Sequence, residues 1–261
     1  MKRLVVKIGG HALDTPELLA ACADSIARLV EQEVRIAVVH GGGAQLTKTL
    51  RAFGKQSEFV SGFRVTDAET RDVALMVLAG AVNKALVAAL TKRGVLAVGL
   101  SGADACAFRA RKRHVAGKDI GFVGEIAATD TRVLDSVWSI PAVPVISSLA
   151  LGYDGEYYNV NADEMASACA SACHANALIF LTDVAGVKNA DGDVMRWLNT
   201  KSILELRQTE VVSGGMVPKL QACEQALKRG VGRVRILPAL QAAVLPDFYR
   251  THIDVGTEVV G

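Results

Sequence analysis

Short, continuously apolar runs alternate along this chain with longer stretches in which apolar residues recur at helical spacing. The runs at 4–8, 35–39, 95–100, 143–147, 177–182 and 233–237 predict strands. Helical periodicity predicts helices over 16–31, 44–53, 67–93, 161–174, 200–206 and 216–229. Strands that lack polar alternation are covered on both faces, so the pattern specifies an α/β fold with a mainly parallel, doubly covered sheet. The punctuation agrees. Thr66-Asp-Ala-Glu69 has the spacing of a capping box ahead of the long third helix, and Lys92-Arg93-Gly94 suits that helix's negative end.

Residues 104–128 break the rhythm with alternating segments and glycines, which predicts β-hairpins projecting from the sheet. No linker or internal repeat divides the chain. A boundary between two lobes falls near residues 174–180, where a second series of strand–helix units begins.

Composition narrows the class. Of 261 residues 51% are apolar, and 29 Lys+Arg against 27 Asp+Glu leave a net charge of +2, which excludes disorder and gives no electrostatic case for a nucleic-acid partner. The exception is the basic run Arg109-Ala-Arg-Lys-Arg-His114. The smooth apolar run 73–82 is cut by Asn83-Lys84, short of the roughly 18 residues a bilayer span requires, and the start is too weakly apolar for a secretory signal. The expectation is a cytoplasmic protein without membrane contact. Five scattered cysteines read as reduced, buried thiols. Cys169 and Cys173 share a helix face with only His174 nearby, a poor zinc site.

Chemistry concentrates in glycine loops. Lys7-Ile-Gly-Gly10 follows the first strand and His40-Gly-Gly-Gly43 the second, each leading to a helix, where free backbone N–H groups and the helix dipole bind anions. GxxxxGK[ST] and GxGxxG are both missing, which excludes a P-loop NTPase and an ordinary dinucleotide fold. His40-Gly-Gly-Gly43 also looks like an esterase oxyanion loop, but no GxSxG supplies a nucleophile.

Three further constellations stand out. Arg64, in Ser61-Gly-Phe-Arg-Val-Thr66, offers a planar fork for a carboxylate, or else a solvated charge. Asn159, Asn161 and Asp163 open a helix, where capping is the plain reading. Lys219 stands one turn into a helix behind Gly214-Gly215, an unfavourable place for a cation unless an anion compensates.

In order along the chain, these motifs, together with Thr182-Asp-Val-Ala-Gly186-Val, resemble the amino acid kinase superfamily, and within it the N-acetylglutamate kinases. The resemblance runs from about residue 3 to residue 237 and implies an αβα sandwich of two lobes. Residues 1–174 would bind the acyl amino acid and form a homodimer, and residues 175–261 would bind ATP. It implies that Lys7 and Lys219 stabilise the transition state and that Asp163 orients them. Gly10, Gly42 and Gly43 would supply N–H groups, while Arg64 and Asn159 hold the substrate. Asp183, Val184, Ala185, Gly186, Val187 and Lys188, with Val211, Val212 and Ser213, would line the ATP site. ATP and Mg²⁺ carried on its phosphates are the implied cofactors, and phosphorylation of the γ-carboxylate of N-acetyl-L-glutamate in arginine biosynthesis the implied reaction.

Elementary chemistry supports those residue types. A γ-carboxylate with an ordinary pKa of about 4.3 is already ionised at neutral pH, so no general base is needed. Repulsion is the obstacle: each like-charge pair at ~4 Å costs roughly 4 kcal/mol at an effective dielectric near 20. Cations aimed at the moving phosphoryl group remove that cost.

The chain begins almost at its first strand, without the extra helix by which arginine-inhibited members join dimers into hexamers, so a dimer insensitive to arginine is expected. The sequence Arg235-Ile-Leu-Pro238 lacks an Asp-Gly frequent in the family, which leaves the packing at the sheet's end open. Two other readings remain. One is a kinase acting on glutamate or 2-aminoadipate attached to an acidic amino-group carrier protein, which Arg109, Arg111, Lys112 and Arg113 would receive. The other is a catalytically inactive nucleotide sensor.

Overall fold

The computed structural model describes residues 1–115, 117–209, 211–212, 214–248 and 254–261, without the side chain of residue 11. An eight-stranded sheet runs in the order Trp197–Asn199, Thr257–Val260, Arg233–Pro238, Ala177–Thr182, Arg3–Ile8, Arg35–His40, Ala142–Ser147 and Leu96–Ser101. Neighbours are parallel except for Thr257–Val260 against Arg233–Pro238. All six expected strands are present, and the sheet is continuous across residues 174–180, since Leu4 to Ile8 pair in register with Ala177 to Leu181.

Alternation along the strands feeds two hydrophobic layers. Val5, Ala37, Val39, Leu178 and Phe180 face helices Ala162–Ala172 and Met216–Lys228 through Met165, Cys169, Leu220 and Cys223. Leu4, Val6, Ile8, Ile36, Val38, Ile179 and Leu181 face Ile26 and Leu29 of helix Pro16–Glu31 and Leu86 and Leu90 of the third long helix. Each such side chain contributes roughly 1.5–3 kcal/mol on burial, which is why continuous apolar runs became central strands. The five cysteines carry free thiols, four of them buried.

The structure corrects several local expectations. The segment expected to project as hairpins, Phe108–Val115 with Lys118–Thr129, closes into a four-stranded barrel with Leu149–Gly152 and Tyr157–Val160. Closure satisfies edges that a projecting hairpin would leave open. Asn159 therefore lies on a strand, and the helix begins only at Ala162. The cap of the third helix is Asp67, whose carboxylate accepts from the Thr70 amide at 2.8 Å, rather than Thr66. Thr66 is unavailable because its backbone pairs with Ile120 and Phe122 of the barrel.

That third helix, Ala68–Thr91, is long and apolar enough to cross a bilayer by length and composition, contrary to the expectation from its interruption at Asn83. Part of that apolarity serves the core. Val73, Val77, Leu78 and Val82 pack on Leu46 and Leu50, and Asn83 is fully buried with hydrogen bonds to the sheet. The stretch Leu75–Val82 is wound as a π-helix.

At the sheet's far end Arg235 is buried and pairs with Glu258 at 2.9 Å, tying the last strand in place. That ion pair answers the packing question left open by the sequence.

Candidate active site

Strand order decides where a site can form. From Arg3–Ile8 the chain continues to Arg35–His40 on one side, while Ala177–Thr182 occupies the other, so the connections diverge at the carboxyl end of the first strand. Such a switch point leaves a crevice for ligands. Lys7, Gly9, Gly10 and the Gly41–Gly43 turn line a cavity of about 240 Å³ there, and Asp183 lies beside Gly10.

Lys7, Asp163 and Lys219 come from a strand and two helices. Lys7 Nζ lies 2.9 Å from Asp163 Oδ1 as an ion pair, and Lys219 Nζ donates to Oδ2 at 2.9 Å. All three are buried. Burial acts to raise the Asp163 pKa, but the two ammonium groups outweigh it and hold the carboxyl at about 2. For Lys7, burial lowers the pKa below the lysine value against the opposing pull of Asp163, with Lys219 adding to the decrease. Two cations and one carboxylate give the triad itself a net charge of +1, with the Asp183 carboxylate acting on Lys7 from beside Gly10. Lys219 Nζ also sits 5.2 Å from the centre of the Phe180 ring.

The glycines have steric reasons. A Cβ on Gly9 would collide with the Lys7 ammonium, and one on Gly42, at φ 151°, would lie 2.8 Å from Leu78 Cδ2 and 3.0 Å from Val82 Cγ2. Gly42 caps helix Gly43–Ala52, whose first N–H groups have no partners within the helix and open toward the cavity. Gly10, at φ 59°, approaches the Asp183 carboxylate. Asn161 caps the helix bearing Asp163 by accepting from the Asp163 amide at 2.8 Å.

Arg64 is buried rather than solvated, and burial lowers its pKa. Its guanidinium donates to Gly43 O at 3.0 Å, Thr47 Oγ1 at 2.8 Å and Ser57 Oγ, and stacks 4.8 Å from the Phe59 ring centre. Among the described residues no carboxylate pairs with it. Asn159 lines the same cavity and reaches Thr66 Oγ1 at 3.4 Å.

The residues expected around a nucleotide divide. Asp183, Val184, Ala185 and Lys188 are exposed beyond the end of strand Ala177–Thr182. Val187 is fully buried, and its amide donates to Thr257 Oγ1 at 2.8 Å; Gly186, at φ 152°, packs against the same hydroxyl. Those two brace the loop. Val211 is half-buried and Val212 is buried in the core, while Ser213 lies outside the described residues.

Sequence reasoning missed cavity-lining Phe59, Phe63, Leu78, Val123 and Ser148. Apolar residues in a short turn or a long helix carry no signal of their own. Phe63, immediately before Arg64, was the one legible by position.

The model of the amino acid kinase family matches residues 2–238. The chain is 62% identical to the acetylglutamate kinase of Acidobacterium capsulatum, over 99% of both chains. It is 52% identical to the acetylglutamate kinase of Koribacter versatilis, over 99% of this chain and 98% of that one. Among solved structures it resembles the N-acetylglutamate synthase of Neisseria gonorrhoeae complexed with coenzyme A and N-acetyl-glutamate, with TM-score 0.88 and 26% identity, covering 100% of this chain and 59% of that one. Carbamate kinase of Giardia lamblia bound to AMP-PNP shares the fold, with TM-score 0.71 and 13% identity over 99% of this chain and 98% of that one.

Proposed function

The chain belongs to the amino acid kinase family, and on that premise we propose that it transfers the γ-phosphoryl group of ATP to the γ-carboxylate of N-acetyl-L-glutamate. The observation that carries this reading is the buried Lys7–Asp163–Lys219 triad at the switch point. Lys7 and Lys219 neutralise the phosphoryl oxygens as charge spreads over them. Asp163 is no base. With its pKa held at about 2 it stays ionised and keeps two mutually repelling ammonium groups in one place. The N–H groups of Gly10, Gly42 and Gly43 converge on the same oxygens.

Arg64 and Asn159 hold the amino acid. A buried guanidinium without a carboxylate partner is costly unless an anion arrives, and the substrate's α-carboxylate is such an anion. Asp183, Val184, Ala185 and Lys188, exposed beyond the end of their strand, serve the nucleotide, on a loop braced by Gly186 and Val187. Mg²⁺ would arrive on the phosphate oxygens of ATP, where it would neutralise phosphate charge, and the exposed Asp183 carboxylate beside Gly10 would be the residue available to hold it. The lobes meet at residue 174, with acyl amino acid on one side and ATP on the other.

Two copies associate through the sheet edge in this reading. Leu96–Ser101 is the last strand of the sheet among the described residues, with one side unpaired there, and Leu96 is exposed. A cytoplasmic place in arginine biosynthesis belongs to the same proposal.

Ion pairs engage part of the basic surface that the carrier-protein alternative would use. Lys112 pairs with Asp119 at 2.7 Å, Arg113 with Glu164 at 2.5 Å and Arg111 with Glu125, while Arg109 donates to Gly152 O at 2.9 Å. Three of its cations have acidic partners, while residues 108–129 still carry five Lys/Arg against two Asp/Glu. An inactive sensor would not need the triad intact.

Hydroxylamine trapping of the acyl phosphate tests the reading. Hydroxamate should form with MgATP and N-acetylglutamate, and far more slowly with N-acetylaspartate, 2-aminoadipate derivatives or carbamate. ATP binding without any hydroxamate would overturn it.

A further inference from the structure

Behind the Gly41–Gly43 turn lies a chain of buried polar groups that the reaction above does not use. Asn83, fully buried at the end of the π-wound stretch, donates through Nδ2 to Val145 O at 2.9 Å and to Leu100 O at 3.2 Å. Carbonyl oxygens only accept, so these contacts fix which end of the amide is nitrogen. Lys84 Nζ, 3.2 Å from Asn83 Oδ1, fixes the other end.

The same Nδ2 lies 3.0 Å from Nε2 of His40, which is also fully buried. Nδ2 has no acceptor capacity and shares its two hydrogens among these three neighbours, so Nε2 can only accept there. The proton of the neutral ring is thus on Nδ1, which donates to Gly41 O at 2.8 Å. Burial keeps the ring neutral by pulling its pKa to about 4, so the tautomer is single.

The consequence reaches the cavity through one peptide unit. In a trans peptide the C=O and the following N–H point in opposite directions, and this chain has no cis bond among its described residues. Holding Gly41 O back on the His40 ring turns the Gly42 N–H outward, at a residue that lines the cavity and adopts φ 151°. With Gly41 O released, the peptide could rotate and present a carbonyl oxygen to an incoming phosphate.

Resting on the phosphoryl-transfer reading above, we propose that His40 is a positioning residue: locked in its Nδ1–H form by Asn83, it sets the Gly41–Gly42 peptide so that the Gly42 amide faces the transferred phosphoryl group. Its effect belongs to the transition state and not to binding of the amino acid.

Three measurements test this. In the wild-type protein, ¹⁵N NMR of the imidazole should show the Nδ1–H tautomer at neutral pH, and the Gly42 amide resonance should shift when MgATP is added. An Nε2–H tautomer or an unmoved Gly42 amide would overturn the proposal without any variant. Among variants, His40→Asn keeps a donor near the Nδ1 position, while His40→Gln places its amide near Nε2. We expect His40→Gln to lower kcat about 10²-fold, the loss typical of one misdirected oxyanion donor, with KM for N-acetylglutamate unchanged, and His40→Asn to recover at least about tenfold of that loss. Equal losses in two folded variants, or full activity in His40→Gln, would sink it. If the wild-type enzyme fails to phosphorylate N-acetylglutamate, the substrate reading falls, and the two NMR measurements still decide the role of His40.

Discussion

Lys219 Nζ lies 2.9 Å from Asp163 Oδ2 across the interface of two helices, a buried ion pair inside the candidate active site. With Lys7 on the other carboxylate oxygen, the pair becomes a clamp on one anion with two cations. Its energetics are the source of the first two predictions.

Removing either cation should cost rate without unfolding the protein. Lys7→Ala or Lys219→Ala is expected to lower kcat about 10²-fold or more, the scale of one lost transition-state donor. Steady-state kinetics beside circular dichroism check this, and unchanged kcat in a folded variant would remove that lysine from the mechanism.

Removing the anion has a different signature. Asp163→Asn leaves two buried ammonium groups facing each other and should destabilise the protein by about 3 kcal/mol, the scale of a broken buried pair. Because ATP supplies the missing negative charge, it should raise the urea midpoint of this variant more than that of the wild type. An equal shift in both would argue that the triphosphate does not meet the lysines.

Alkaline pH should silence the enzyme earlier than an ordinary lysine would. Lys7 is active as the cation, and burial lowers its pKa, so raising the pH discharges it sooner and kcat/KM falls below the usual lysine range. A guanidinium stays charged above pH ~12. Lys7→Arg, even if slow, should therefore move the alkaline limb to higher pH in a pH–rate profile.

Acid should weaken the fold through His40. Its folded pKa of about 4 lies below the ordinary 6.5, so the unfolded chain binds the extra proton first and stability falls as the pH drops from 6.5 to 4. At 1.36 kcal/mol per unit the loss approaches about 3 kcal/mol. Urea unfolding at pH 7, 5 and 4 should show a shallower acid slope in His40→Asn than in wild type.

Binding of the amino acid should depend on the shape of Arg64 and not only on its charge. Arg64→Lys loses the planar fork that stacks on Phe59 and is expected to raise KM for N-acetylglutamate about tenfold or more, one bidentate contact being worth roughly 1.5–3 kcal/mol. A KM unchanged from wild type would place the α-carboxylate elsewhere.

Much of this molecule was legible in the pattern of its residues. Continuous apolar runs such as 177–182 could only be doubly covered strands, and the 3.6-residue repeat of 16–31 gave a helix with the bounds it has in the structure. The glycine turns and Lys7 were legible because backbone amides and a cation after a strand have few other uses. Where reading failed, a distant partner had intervened. Thr66 lost its capping role to the barrel strand beside it, and Asn159 became a strand residue because Leu149 pairs with it.

The sequence by itself determined the elements, the double coverage of the sheet and the anion-binding character of its loops, because these follow from local propensity, periodicity and backbone chemistry. Only the tertiary structure decided that Lys7 and Lys219 share the Asp163 carboxylate, that Arg64 is buried, that three cations of the basic hairpin meet acidic partners and that the His40 ring meets Gly41 O and Asn83. Each of these depends on distances between residues far apart in the chain, and on desolvation, which only packing creates.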